Sequence, residues 1–171
     1  MSVEEYLTNS EFEHCEYIDG QAVEMNVGNE PHSSVQANCV AALISYFRQR
    51  GTGKAYTELR CRVTVDGRQR FYQPDVAAVL GPRQAGVAFL DRAPDLAVEI
   101  KSPSDSIPDM LQKVRHYLTN GSNLVWVVLP DDRSVLCFRP SDPIQVVVGE
   151  EVLEAPDVLP EFQLPLAELF D

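Results

Sequence analysis

From His32 to Arg50, Val35, Cys39, Leu43 and Phe47 recur every four residues, and Val40, Ile44 and Tyr46 widen the apolar stripe. That spacing predicts an α-helix over 32–50 buried along one face, with Ser33 or Ser34 as its cap and Gly51 as its stop. A second helix is predicted over Pro108–Thr119, where Pro108 suits a first turn and Asn120-Gly121 ends the run. Short helical turns are expected near Val3–Leu7 and Leu166–Phe170.

Between these lie segments with strand character. Cys15–Met25 reads as an N-terminal β-hairpin, because Asp19-Gly20 supplies the positive φ that tight hairpin turns require. Strands are expected at Ala55–Val65 (closing at Asp66-Gly67), Gln73–Leu80, Asp95–Lys101, Leu124–Leu129, Ser134–Phe138 and Ile144–Val148. Helix, strands, helix, strands is a mixed α/β order rather than a regular βαβ repeat. With 171 residues, no internal repeat and no long linker, one domain over 1–171 is expected.

The polar exceptions within apolar strands are the informative positions. Asp75 follows Pro74 at a predicted strand start, and Glu99 and Lys101 interrupt Leu96, Val98 and Ile100. Side chains two apart on a strand share a face, so Glu99 and Lys101 are expected to point together. Charge beside so much apolar material is costly unless it is paired or bound to metal. Asp75 and Glu99 offer hard oxygen ligands suited to Mg²⁺ or Mn²⁺, with Lys101 left to orient water or neutralise phosphate charge. An exposed Glu–Lys pair on a solvated strand is the competing reading.

The order of motifs carries further information. Glu16-Tyr-Ile-Asp-Gly20, His32 opening a helix, Gln73-Pro-Asp75, the block Pro94–Ser104, Asp109-x-x-x-Lys113-x-x-x-Tyr117 and Val125–Asp131 together resemble the Uma-two family of restriction-endonuclease-like proteins. The resemblance runs from about Tyr6 to the terminus. It implies a PD-(D/E)xK nuclease fold, a central mixed sheet flanked by helices. It also implies Asp75 and Glu99 as metal carboxylates, Lys101 as catalytic lysine and Glu16 as a further site acid. Family members with an apolar residue at the Lys101 position imply a substitute role for a helix lysine, here Lys113.

Other residues stand between two readings. His32 is either a site histidine or a solvent-facing residue at a helix start. Gln73 is expected to share Asp75's strand face and reach substrate. Lys113 is equally explained by an i, i+4 pair with Asp109. Tyr117 and Trp126 read as core. Arg60 and Arg62 share a face and, with Arg68 and Arg70, are the candidates for a phosphate-binding patch.

Composition qualifies this picture. The net charge of −12 opposes nucleic-acid binding by bulk field, so DNA would have to be held by a local patch or a partner. A non-catalytic binding protein that keeps the fold is therefore the alternative, and a hydrolase of small phosphoesters is a third. A homodimer is a further expectation. No apolar run approaches the ~18 residues of a membrane span, no signal-peptide pattern opens the chain, and the four cysteines are isolated. A reduced cytoplasmic setting without structural zinc is expected.

Overall fold

The computed structural model describes residues 1–83 and 85–171. Its centre is a six-stranded sheet in the order β10-β9-β8-β7-β6-β3. The strands are β3 (Lys54–Thr57), β6 (Val76–Val79), β7 (Leu96–Ile100), β8 (Leu124–Leu129), β9 (Ser134–Phe138) and β10 (Gln145–Val148). All neighbours are antiparallel except β7 and β8, which run parallel. A parallel pair needs a crossover, and helix α3 (Ile107–Thr119) supplies it. The sheet is therefore mixed and flanked by helices, as the motifs imply.

Alternation along β7 and β8 sorts the two layers. Leu96, Val98, Ile100, Leu124, Trp126 and Val128 pack with Val35, Cys39, Leu43 and Phe47 of helix α2 (Glu30–Arg50). Ala97, Val125 and Val127 pack with Met110, Val114 and Tyr117 of α3. Glu99 has the parity of Ala97 and so lies on the α3 side.

A second, four-stranded antiparallel sheet has the order β2-β1-β5-β4, built from β1 (Cys15–Ile18), β2 (Gln21–Glu24), β4 (Cys61–Val65) and β5 (Arg68–Tyr72). The N-terminal hairpin turns at Asp19 and Gly20, both with positive φ. Helix α1 (Val3–Thr8) packs Tyr6 against Tyr17 and Phe71 beneath this sheet.

Several boundaries differ from the sequence reading. The strand expected over 55–65 is two strands, because Glu58 turns to φ 50° and sends β3 and β4 into different sheets. Helix α2 is capped by Asn29, whose side chain accepts the His32 N–H at 3.2 Å, while Ser33 and Ser34 lie inside it. Gln73 and Asp75 precede β6 rather than sitting in it. Helix α4 (Leu166–Leu169) falls where a helical turn was expected, whereas the hairpin before it, β11 (Val152–Ala155) and β12 (Leu159–Pro165), covers the α2 core and has no counterpart in the expectation. Pro156, Pro160 and Pro165 mask its pattern, and they are tolerated because this sheet has only edge strands. Among the described residues, no helix is long and apolar enough to cross a membrane.

Candidate active site

Glu99 is 94% buried on the last residue pair of β7, against the inner face of α3. Two α3 residues one turn apart meet it. The Tyr117 hydroxyl donates to Glu99 Oε1 at 2.6 Å, and the Lys113 ammonium lies 3.4 Å from Oε2. Lys113 also sits 2.8 Å from Glu16 Oε1, which reaches in from β1 and accepts the Gln73 N–H at 3.0 Å. The i, i+4 pairing of Lys113 with Asp109 is not made: Asp109 accepts instead from Ser106 Oγ at the start of α3. Helix spacing of four places Lys113 and Tyr117 on one face, and that face is turned to the sheet.

Asp75 lies one step beyond the Val76–Val98 pair of β6 and β7, at the level of Glu99. Its Oδ2 accepts the Ile100 N–H at 2.6 Å, and its Oδ1 is 3.2 Å from His32 Nε2. His32 is buried in the first turn of α2 and not turned to solvent. Its ring is held from behind, since a Cβ built on Gly28 would lie 2.5 Å from His32 Nδ1.

Glu16, His32, Asp75, Glu99 and Lys113 therefore converge on one cleft of about 260 Å³ between the N-terminal hairpin and the β7–α3 turn. Tyr72, Asn26, Ser102 and Asp105 also line it. The other candidates do not. β7 ends at Ile100, so Lys101 falls past the alternation expected to align it with Glu99. Its ammonium donates to the Ser102 carbonyl at 3.2 Å, and it does not line the cleft. Gln73 spends its amide on the carbonyls of Glu13 and Cys15 and ties the hairpin down. Arg60 donates to the Phe12 carbonyl and covers the Tyr6 ring, Arg62 pairs with Asp91, and Arg70 pairs with Asp19. These arginines brace the second sheet. Trp126 is fully buried, as expected of core.

The electrostatics follow from burial. Desolvation first, with Asp75 and Glu16 adding, pushes the Glu99 carboxyl up to about 7 despite Lys113 and the Tyr117 hydroxyl. Burial alone would lower Lys113, but Glu99 and Glu16 hold it above its ordinary value. The hydrogen bond to Asp75 raises His32 in spite of burial. Burial opposes ionisation of Asp105, yet hydrogen bonds from Ser102 and Asn26 hold it below the ordinary carboxylate range. The cleft contains six carboxyl groups (Glu16, Glu24, Asp75, Glu99, Asp105 and Asp109) against Lys113 and His32. No group of three or more His, Cys, Asp or Glu among the described residues is arranged as a ready metal-ligand set.

Gly28→Ala tests the seating of His32. Overpacking of this kind costs about 1–3 kcal/mol when rigid neighbours cannot yield. The expected result is displacement of the ring from Asp75, seen by NMR titration as a His32 pKa returned toward its ordinary value. An unchanged titration would show that Gly28 does not hold the ring.

The model of the Uma2 family, described as "Putative restriction endonuclease", matches residues 3–167. The chain belongs to the Uma2 family. A crystal structure from Anabaena variabilis ATCC 29413, described as "a putative nuclease belonging to DUF820", superposes with a TM-score of 0.85 at 26% identity. The match covers 99% of this chain and 97% of that one. No match is found among curated proteins. Membership explains why the motif order runs through nearly the whole chain. The Uma2 fold sets the hairpin, the strand pair and α3 around a common cleft.

Proposed function

We propose that the protein is a metal-dependent nuclease that hydrolyses DNA phosphodiester bonds in the cleft between the hairpin and α3. One observation carries this reading. Three buried acids, Glu16, Asp75 and Glu99, line one cleft in which a single ammonium, Lys113, is shared between Glu16 at 2.8 Å and Glu99 at 3.4 Å, and Asp75 is met by the His32 ring at 3.2 Å.

A divalent cation fits that deficit. Asp75 and Glu99 supply hard oxygens, and each of these oxygens keeps a lone pair beyond its protein partner. Mg²⁺ typically takes one or two protein carboxylates and completes its shell with water and substrate phosphate, so a pair of acids suffices. Such an ion supplies Lewis acidity to the phosphoryl oxygens and an acidified water.

The chain's own residues do the rest. Tyr117 and Lys113 fix the Glu99 carboxylate from the α3 side, while His32 and the Ile100 amide fix Asp75. Lys113 is the cationic side chain in the cleft best placed to meet charge on a phosphate, and His32 Nε2 can hold a proton at the Asp75 side. Lys113 thus takes the role that the sequence offered to Lys101. DNA contact rests on these groups rather than on Arg60 and Arg62, which are engaged elsewhere.

Cleavage of DNA in Mn²⁺ or Mg²⁺ tests the reading. Asp75→Ala and Glu99→Ala are each expected to lower the rate by roughly 10²–10³-fold, the scale of losing one electrostatic contact at a reacting centre. Cutting by both variants at the wild-type rate would remove the site from the reaction.

A further inference from the structure

Two loops that line opposite walls of the cleft are joined across it. The Asn26 side-chain amide donates to Asp105 Oδ1 at 2.5 Å, bridging positions 79 residues apart in sequence. Asn26 lies in the segment between β2 and α2, and Asp105 in the turn between β7 and α3. The Asp105 end is built in, because its other oxygen accepts from Ser102 N at 2.6 Å and Ser102 Oγ at 2.7 Å. The Asn26 end is a single side chain on an exposed loop. The bridge is therefore a strap fixed at one end and releasable at the other.

The cleft that Asn26 and Asp105 line has a volume of about 260 Å³. Small-ligand pockets span roughly 300–1,000 Å³, so this space is of single-nucleotide scale, and paired strands would have to lie over its mouth rather than enter it. The charge of its walls points the same way. Glu24 and Asp109 are exposed beside Asp105, and duplex DNA presents a phosphate charge about every 1.7 Å of its axis against about 3.4 Å for one strand. An acidic, strapped mouth repels the denser polyanion more strongly and excludes it by shape.

We propose that the substrate of this site is a single strand of DNA, and that the Asn26–Asp105 strap is the element that rejects intact duplex. The proposal rests on the nuclease reading above and adds to it a substrate class and two specificity-determining residues. Neither residue touches Asp75, Glu99 or Lys113.

The test uses fluorescent oligonucleotides of one sequence, single-stranded or annealed, with the full chain and its Asn26→Ala and Asn26→Asp variants. Asn26→Ala removes the bridge, and Asn26→Asp sets two carboxylates against each other, so both open the mouth. In Mn²⁺ the wild type should cut the single strand about tenfold or more faster than duplex, and both variants should narrow that ratio by accelerating duplex cutting. Equal cutting of both forms by the wild type, or a ratio unmoved by either variant, overturns the proposal. Binding to the same oligonucleotides in Ca²⁺, followed by fluorescence anisotropy, reads the strap apart from turnover. Preferential single-strand binding that Asn26→Ala relaxes supports the strap even if no strand is cut, which would refute only the nuclease reading. Equal affinity for both forms, or no binding to either, overturns the strap.

Discussion

Lys113→Met is expected to lower the unfolding free energy by about 3 kcal/mol near pH 7, the cost of stripping one partner from a buried ion pair, and to abolish cleavage. Methionine keeps most of the stem volume, so the loss isolates the charge. Glu16 and Glu99 would remain in place at 5% and 6% exposure with no cation between them. The Lys113 side chain keeps 24% of its surface in water, which screens part of the interaction and argues for the lower end of the range. Lys101→Met, beside it in the sequence reading, is expected to change stability by no more than about 0.5 kcal/mol, as surface substitutions do. Urea denaturation of the two variants at pH 7 and pH 5 separates the cases. The Lys113→Met penalty should shrink at pH 5, where protonation discharges the stranded Glu99 carboxyl. Equal midpoints for both variants would mean that the Glu16–Lys113–Glu99 triad contributes nothing.

The second large effect is a dependence of stability on pH set by Glu99. Its carboxyl lies at about 7 in the folded chain against an ordinary 4.5, so the folded state binds the proton more tightly than the unfolded state. The resulting stabilisation is complete below pH 4.5 and is lost as pH rises through about 7. At 1.36 kcal/mol per pH unit, the loss amounts to roughly 3 kcal/mol. Wild type and Glu99→Gln share every other titrating group, so the difference between their stability–pH curves reads this residue together with its interactions with Lys113, Asp75 and Glu16. Glu99→Gln should lack the decline between pH 4.5 and 7. Excess Mn²⁺ should reverse the wild-type trend, because a cation on the ionised carboxylate binds the folded state alone and more tightly as pH rises. Parallel curves for the two proteins would show that Glu99 carries no stored electrostatic cost.

These two experiments bear on the trade between site and stability. Replacing the buried triad by apolar residues would relieve desolvation, yet the chain holds three acids around one lysine, with His32 on Asp75. On the proposed reading, that arrangement is the place a divalent cation would enter.

Local pattern was enough to find α2 and α3, the segments that become β7 and β8, and the hairpin at Asp19-Gly20, because each is a local property of spacing, residue type or turn and cap chemistry. That β7 and β8 pair in parallel came from the structure. The same pattern drew attention to Glu99, a charge within an apolar strand, and to Asp75 beside one, but left an exposed Glu–Lys pair as the competing reading; it was the order of motifs that assigned the two acids to one site. The β11–β12 hairpin escaped because its prolines read as loop, and the split at Glu58 because an isolated positive φ leaves no trace in hydropathy. Which lysine serves the cleft was a matter of tertiary structure. Lys101 is two residues from Glu99 and belongs to it on paper, but the strand stops at Ile100 and the alternation stops with it. Lys113 is fourteen residues away and arrives because the β7–α3–β8 crossover lays one face of the helix on the sheet. His32 was decided in the same manner, by Asn29 capping α2 and Gly28 leaving room for the ring. Local pattern reports what a segment can form; long-range contacts determine which side chains share a low-dielectric space, and there charges acquire their chemistry.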